Sequence, residues 1–312
     1  MKEAPVPPAL SGRPLDGAVR TLFSFSWNQA REAVRTGKVA VDGVVVTDGL
    51  KFVRTGQTVR WDEAARRPRP ETDLPKEAVA FVDNHVVVVE KPSGISTIPF
   101  DEKETGTLDA RVRAWLAAHD RNLRGARGGP PTLGIVHRID KETSGLVVFT
   151  RSWQAKQSLA NQFRFHTVHR RYLAIVHGHF KGGTLTSHIL DDRGDGLRGS
   201  WEARPRKSKS PQGQWARTHI EVVEELDGAT LVACRLETGR THQIRIHLSE
   251  AGHPLLGERV YIRGFRGNEI PAPRLMLHAA ELGFTHPAHE GDVRFERPVP
   301  PDFDETLNRL RK

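Results

Sequence analysis

Two short runs without a polar residue, Val86–Val89 and Leu146–Phe149, constrain this chain's fold more than any other feature. A strand with one face in water alternates polar and apolar residues; a run of four valines does not, and it suits a strand buried on both faces. Turn chemistry bounds each run. Asp83-Asn84-His85 precedes the valines and Lys91-Pro92-Ser93-Gly94 follows them, while a Thr143-Ser144-Gly145 turn leads into Leu146. Further extended segments gather around these two: "RRYLAIVHG", "HIEVVEEL", "ATLVACRLETG", "LGFTHP" and "VRFERPVP". Helical patterns are fewer. Thr107 caps one with Leu108, Val112 and Leu116 at i, i+4, i+8, and Ser152 caps another with inner face Ala155, Leu159 and Phe163. Many strands with few helices between them predict an α+β fold built on a large, mainly antiparallel or mixed sheet flanked by helices.

A smaller unit precedes this sheet. Ser26 and Gln29 are spaced as a capping box. Ala30, Ala33 and Val34 then fit a short helix that ends at Gly37. Asp42-Gly43 between valine-rich flanks is a hairpin signal, and "GQTVRW" reads as a closing strand. Arg31, Arg35 and Lys38 fall along one side of the helix and its exit, a basic edge that suits RNA or simply faces water. The boundaries read as a flexible, Pro-rich start (1–12), an αβ module (13–61), a charged linker (62–78), a main domain (79–303) and a C-terminal tail (304–312). Two polar, basic loops interrupt the main domain: "RNLRGARGGPPTLG" from Arg121, and an insertion over 193–215. Both are candidate RNA contacts.

The 312 residues allow one large domain, or a small one plus a larger one. No apolar run approaches the roughly 20 residues of a membrane helix. The single Cys234 excludes an internal disulfide framework and a Cys-rich zinc site. No signal-peptide core is evident at the start, so an intracellular, cytoplasmic protein without a membrane partner is expected. The formal charge of +9 favours a polyanionic partner, most often nucleic acid.

Chemistry concentrates in two stretches. In "GIVHRIDKETSG" one carboxylate, Asp140, follows the basic pair His137-Arg138. It is either the first residue of an Asx turn, its carboxylate accepting from the Thr143 or Ser144 amide, or a reactive acid kept ionised by Arg138 or Arg245. In "LETGRTHQIRIHLSEAGHPLLGERVY" a helix capped by Thr241 would bury Ile244, Leu248 and Ala251. Arg240 and Arg245 would be left off that stripe, as an anion site. Other chemistries lack their spacing. His242 and His247, five apart, lie about 140° apart on a helix and cannot share one ion, so no metal site is expected. There is no Gly-x-Ser-x-Gly elbow, Walker motif or dinucleotide glycine pattern.

Four stretches taken in order, "HRIDKETSG", "RRYLAIVHG", "LETGRTHQIRIHLSEAGHPLLGERVY" and "RLMLHAAELGFTHP", resemble the RluA-type family of RNA pseudouridine synthases over roughly residues 79–303. Residues 13–61 resemble an S4-type RNA-binding domain, which often precedes that catalytic domain. The resemblance implies a cofactor-free isomerase that turns selected uridines of structured RNA into pseudouridine. Ribosomal RNA of the large subunit is the expected substrate, with transfer RNA as the nearest alternative; a monomer is expected. Asp140 matches the family's catalytic aspartate, Tyr172 its active-site tyrosine and Arg245 the arginine paired with the aspartate. Arg138 matches the residue associated with base extrusion, with His137 and Arg240 beside it, and Leu277 matches an apolar wall of the uracil pocket. Lys141 and Ile139 stand where Arg and Leu are frequent, and the basic insertion is less typical. A non-catalytic RNA-binding ribosome-assembly factor on the same fold is the rival from another class. A carboxylate hydrolase of a phosphorylated small molecule would explain the anion site but not the N-terminal module.

Overall fold

The computed structural model describes residues 1–46, 49, 51–65, 74–101, 104–119, 133–203, 212–289 and 291–311. The chain forms two compact units, Met1–Glu71 and Thr72–Lys312. The loop over 120–132, the centre of the basic insertion at 204–211 and the middle of the expected linker at 66–73 lie outside the described residues.

The first unit contains β1 (Lys2–Pro5), α1 (Leu15–Phe23), α2 (Trp27–Arg35), β2 (Val39–Val41), β3 (Val44–Val45) and β4 (Thr58–Trp61). The strands form an antiparallel sheet in the order β1-β4-β2-β3. The capping box at α2 forms as expected: Ser26 Oγ accepts from Gln29 N–H and Gln29 Oε1 accepts from Ser26 N–H. Asp42 and Gly43 both take positive φ, 50° and 81°, the backbone a two-residue hairpin turn requires. Leu15, Val19, Ala30, Val34 and Val59 make the core. The expected flexible start is corrected. Residues 2–5 pair with β4 along their length, and Val6 and Leu10 are buried in the same core. The prolines misled the reading because β1 is an edge strand, where a missing N–H costs little.

The second unit is a mixed sheet of β5 (Val79–Val82), β6 (Val86–Lys91), β7 (Gly134–Ile135), β8 (Ser144–Thr150), β9 (His169–His177), β10 (Gly183–Leu190), β11 (Gly199–Ser200), β12 (Gln214–Leu226), β13 (Ala229–Leu236), β14 (Leu277–Thr285) and β15 (Asp292–Glu296). The path runs β11-β10-β12-β13-β9-β14-β8-β6-β5, with β15 on β14 and β7 on β8. The β8–β14 pair is parallel; the others are antiparallel. Four helices, α3 (Leu108–His119), α4 (Trp153–Arg164), α5 (Gln243–Glu250) and α6 (Pro301–Leu310), flank it. The two apolar runs are β6 and β8, paired with each other and buried on both sides. Leu108, Val112 and Leu116 of α3 lie over Val87 and Val89 on one face; Ala155 and Leu159 of α4 lie over Val86 and Val88 on the other.

The boundaries at 79 and 303 move outward. Leu74 is buried in the main core, and the expected tail is most of α6, whose Leu307 and Leu310 pack with Phe303 under β9 and β13 residues. An amphipathic last helix rich in Asp and Arg reads as polar until its buried face has a partner.

Candidate active site

The candidate site lies among the loop before β8, the first residues of β9, Leu277 at the start of β14 and the first half of α5. A cavity of about 450 Å³ opens there. Its lining includes every residue expected for the uridine pocket: His137, Arg138, Asp140, Tyr172, Arg240, Arg245 and Leu277. Arg31, Arg35 and Lys38 belong to the N-terminal unit instead.

Asp140 sits just before β8 on a tightly held loop. Thr97 Oγ1 donates to Ile139 O (2.9 Å) and accepts from Ile139 N–H (3.2 Å). Behind it Lys91, fully buried, donates from Nζ to the carbonyls of Pro92, Ile95 and Lys141 at 2.8–2.9 Å. Burial pushes that ammonium down to about 7, even with Asp140 nearby opposing the shift. The Asx-turn reading does not hold. The Thr143 amide donates to the Asp140 backbone carbonyl at 3.1 Å, and the carboxylate turns into the cavity. It remains partly exposed (18%), the condition for meeting a substrate.

Arg245 Nη1 approaches Asp140 Oδ2 at 3.7 Å, an ion pair at arm's length. The guanidinium's other edge is committed to a residue the sequence reading missed. Nε and Nη2 donate to the two carboxylate oxygens of Glu258 at 2.7 and 2.8 Å. Glu258, whose side chain is wholly buried, also accepts from the amides of Arg259 and Val260. Burial alone would raise its carboxyl, but Arg245 and the amides of Val260 and Tyr261 hold it below the usual range. The expected anion site on a free helix face is therefore corrected. α5 begins at Gln243 behind His242, not Thr241 (His242 φ is 60°), and it buries every side chain from Gln243 to Leu248 while Ala251 is exposed. Ile244 and Leu248 join the main core, and Ile246 joins a second one with Tyr261. With apolar partners on two sides, no single stripe exists.

Tyr172 lies buried in β9, between Cys234 of β13 and Ala279 of β14 in register. Burial raises its phenol, so the hydroxyl keeps its proton at neutral pH. His137 is not the cation that the sequence suggests. Its Nε2 accepts from Val148 N–H at 3.0 Å, its ring stacks on Phe163, and desolvation pushes it down to about 3. The basic pair thus reduces to Arg138, which is exposed at the cavity rim. Arg240 is fixed by a bond from Nε to Trp215 O. Leu277 opens β14 and is buried. Thr143 Oγ1, also lining the cavity, is buried without a hydrogen-bond partner. No spacing rule marks Glu258, Lys91, Thr97 or Thr143; Glu258 and Thr143 fall inside the two motifs, while Lys91 and Thr97 meet the site only through tertiary contacts.

One carboxylate, a guanidinium held on a second acid, a neutral phenol, apolar side chains and four further arginines line the cavity, with Asp140 the only acid among the lining residues, a setting for a ring carried on an anionic backbone. The comparisons agree with that class. The RNA pseudouridylate synthase family profile matches residues 85–250, and the chain belongs to this family. It is an RNA pseudouridine synthase, an isomerase. The ribosomal large subunit pseudouridine synthase D of Xanthomonas campestris is 33% identical, covering 100% of this chain and 93% of that protein. An uncharacterized RNA pseudouridine synthase of Bacillus subtilis is 38% identical over 92% of this chain and 90% of its own length. Two human structures, RNA pseudouridylate synthase domain containing 4 and 1, share the fold with TM-scores of 0.58 and 0.56. They cover 75% and 73% of this chain and 93% and 86% of their own, at 23% and 24% identity.

Proposed function

We propose that this enzyme isomerises selected uridines of large-subunit ribosomal RNA, with Asp140 as the reacting carboxylate. The observation that carries the residue assignment is Asp140 itself: the single acid of the cavity, partly exposed and held by Arg245 at 3.7 Å. The substrate assignment is supported by relatives named for the large ribosomal subunit that match along nearly their whole length.

The reaction needs no redox partner. Asp140 either attacks C1′, expelling uracil and forming an ester, or removes the C2′ proton as uracil leaves, giving a glycal; uracil turns in place, C5 bonds to C1′ as the ester is displaced or the proton is returned to C2′, and the C5 proton is lost while N1 gains one. A retaining glycosidase uses two close carboxylates, one to protonate its leaving group. Here the leaving group is a delocalised anion that is recaptured, so one acid suffices. The base must first leave its stack at a cost of a few kcal/mol. Arg138 at the rim takes the vacated space, Tyr172 and Leu277 pack on the flipped ring, and the unpartnered Thr143 hydroxyl bonds its polar edge. His137, neutral, shapes the pocket. As a protonated phenol, Tyr172 acts by packing, not as a standing base.

The N-terminal unit has the helix pair, hairpin and basic edge of an S4-type RNA-binding module. Arg31, Arg35 and Lys38 would contact phosphates, and Arg240 would hold RNA near the pocket. The enzyme acts as a cytoplasmic monomer. Asp140→Asn is the test: Asn preserves the loop but is no nucleophile, so the variant should melt like wild type, bind RNA and form no pseudouridine. Activity in purified Asp140→Asn would remove Asp140 from the chemistry. Pseudouridine mapped to transfer RNA alone, in cells with and without the gene, would replace the substrate reading.

A further inference from the structure

At the end of β6, β8 and β14 away from Asp140, two hairpin turns distant in sequence bring three ligand-type side chains together. Asp83 lies in the β5–β6 turn, and His286 and His289 lie in the β14–β15 turn. Their donor atoms all fall within 4.8 Å of one another, and none lines the uridine pocket.

The cluster is built rather than incidental. Asp83 Oδ1 is anchored by the amides of His85 (2.8 Å) and Val86 (2.7 Å), which leaves Oδ2 turned toward His286. Burial would raise the Asp83 carboxyl, but those two amides lower it below the usual range. The His286 side chain is 2% exposed, packed edge-on against Phe81 and His85. Its Nε2 lies 3.0 Å from Asp83 Oδ2 yet makes no hydrogen bond. The two atoms are thus in ion-pair contact without the alignment of a hydrogen bond. Two ligands of one first-row ion, each about 2.0–2.2 Å from it at 90–110°, stand about 2.8–3.6 Å apart without being aligned to each other. The His289 ring lies nearly parallel to that of His286, centroids 4.8 Å apart, and is exposed, so it can swing in.

We propose that Asp83, His286 and His289 bind one divalent first-row transition-metal ion, which clasps the β5–β6 turn to the β14–β15 turn. Two imidazoles and one carboxylate suit zinc, nickel or cobalt; calcium and magnesium require oxygen ligands throughout. The anchored Asp83 Oδ1 supplies the outer-shell support such sites need. Binding through Nε2 places the ring proton on Nδ1, so the long 3.3 Å contact from Ala288 N–H opens as the turn closes on the ion.

The test uses the full chain, stripped with chelator and titrated with zinc chloride. The expected result is one zinc per chain by elemental analysis and a melting temperature raised by several degrees. His289→Ala, at an exposed position, should melt like wild type in chelator but lose the zinc-dependent rise. It should also lose more affinity than the roughly 10–100-fold typical of an outer-shell loss. Asp83→Asn keeps the oxygen that accepts the two amides and removes the anionic ligand, so it should behave likewise. No stoichiometric zinc in wild type, or unchanged zinc binding in His289→Ala, would overturn the clasp.

Discussion

Arg245 shows how one residue's role is set by the partner behind it. A guanidinium free to meet Asp140 with its whole fork would form a bidentate pair and mask the carboxylate. Glu258 occupies that fork, so only Nη1 reaches Asp140. Glu258→Ala leaves a buried cation without its counter-charge and should cost about 3–5 kcal/mol of stability, read by urea unfolding. Glu258→Gln, which keeps the shape, should fold better but turn over more slowly; wild-type turnover in Glu258→Gln would separate Glu258 from the site. The buried imidazoles make a second residue-level prediction. Burial lowers His137 to about 3 and His247 and His278 to about 4, from the ordinary imidazole value of 6.5. Below that value the unfolded chain takes up protons that the folded chain refuses, so these groups oppose folding increasingly as pH falls toward 4. The melting temperature should therefore start to drop below about pH 6.5, before most carboxylates titrate. A flat melting temperature from pH 7.5 to 5.5 would show that these histidines do not stay neutral.

Between elements, one close backbone approach is the parallel pair β8–β14 near Asp140. Gly145 there has φ of 115°, and a Cβ on it would lie 2.3 Å from the Ala279 carbonyl oxygen and 2.6 Å from its nitrogen. Neither atom is a side-chain end that can move aside. Gly145→Ala should lose several kcal/mol, roughly the sum of a strained φ and an overpacked contact, and yield little soluble protein. Full recovery of wild-type melting in Gly145→Ala would mean the two strands part more easily than this geometry implies. Local chemistry made such elements readable from sequence. The capping box at Ser26, the Asp42-Gly43 turn and the apolar runs that became β6 and β8 depend on neighbours within a few residues. α5 was misread because its burial on all sides is decided by β10, β12 and the Glu258 loop, none visible in its own periodicity. The two chain ends were misread for the same reason: β1 and α6 look polar until β4 and the β9–β13 face cover them. At the site, the motif acid Asp140 was legible, while Glu258, Lys91 and Thr97 act only through tertiary contacts.

For the molecule as a whole, the +9 charge implies strong, salt-sensitive RNA binding, but counting cations overstates what the N-terminal unit offers. Arg31 lies 3.5 Å from Asp16 and over the exposed Trp27 ring, and Arg35 makes a bidentate pair with Glu32. Each phosphate contact steepens the logarithmic salt dependence by about 0.7–0.9. If this unit grips phosphate, replacing Arg31 and Lys38 with Ala in the full chain should flatten the slope by about 1.4–1.8, without a matching loss of turnover at saturating RNA. Arg35 is different, because RNA must first displace Glu32. Glu32→Gln removes that competitor and should tighten RNA binding while steepening the slope by up to about 0.9. Exposed ion pairs contribute at most about 1 kcal/mol, so folding should barely change. Filter-binding titrations across a salt series decide it: equal affinity and slope in Glu32→Gln and wild type would mean that Arg35 never touches RNA and that the basic edge of α2 is only its face to water.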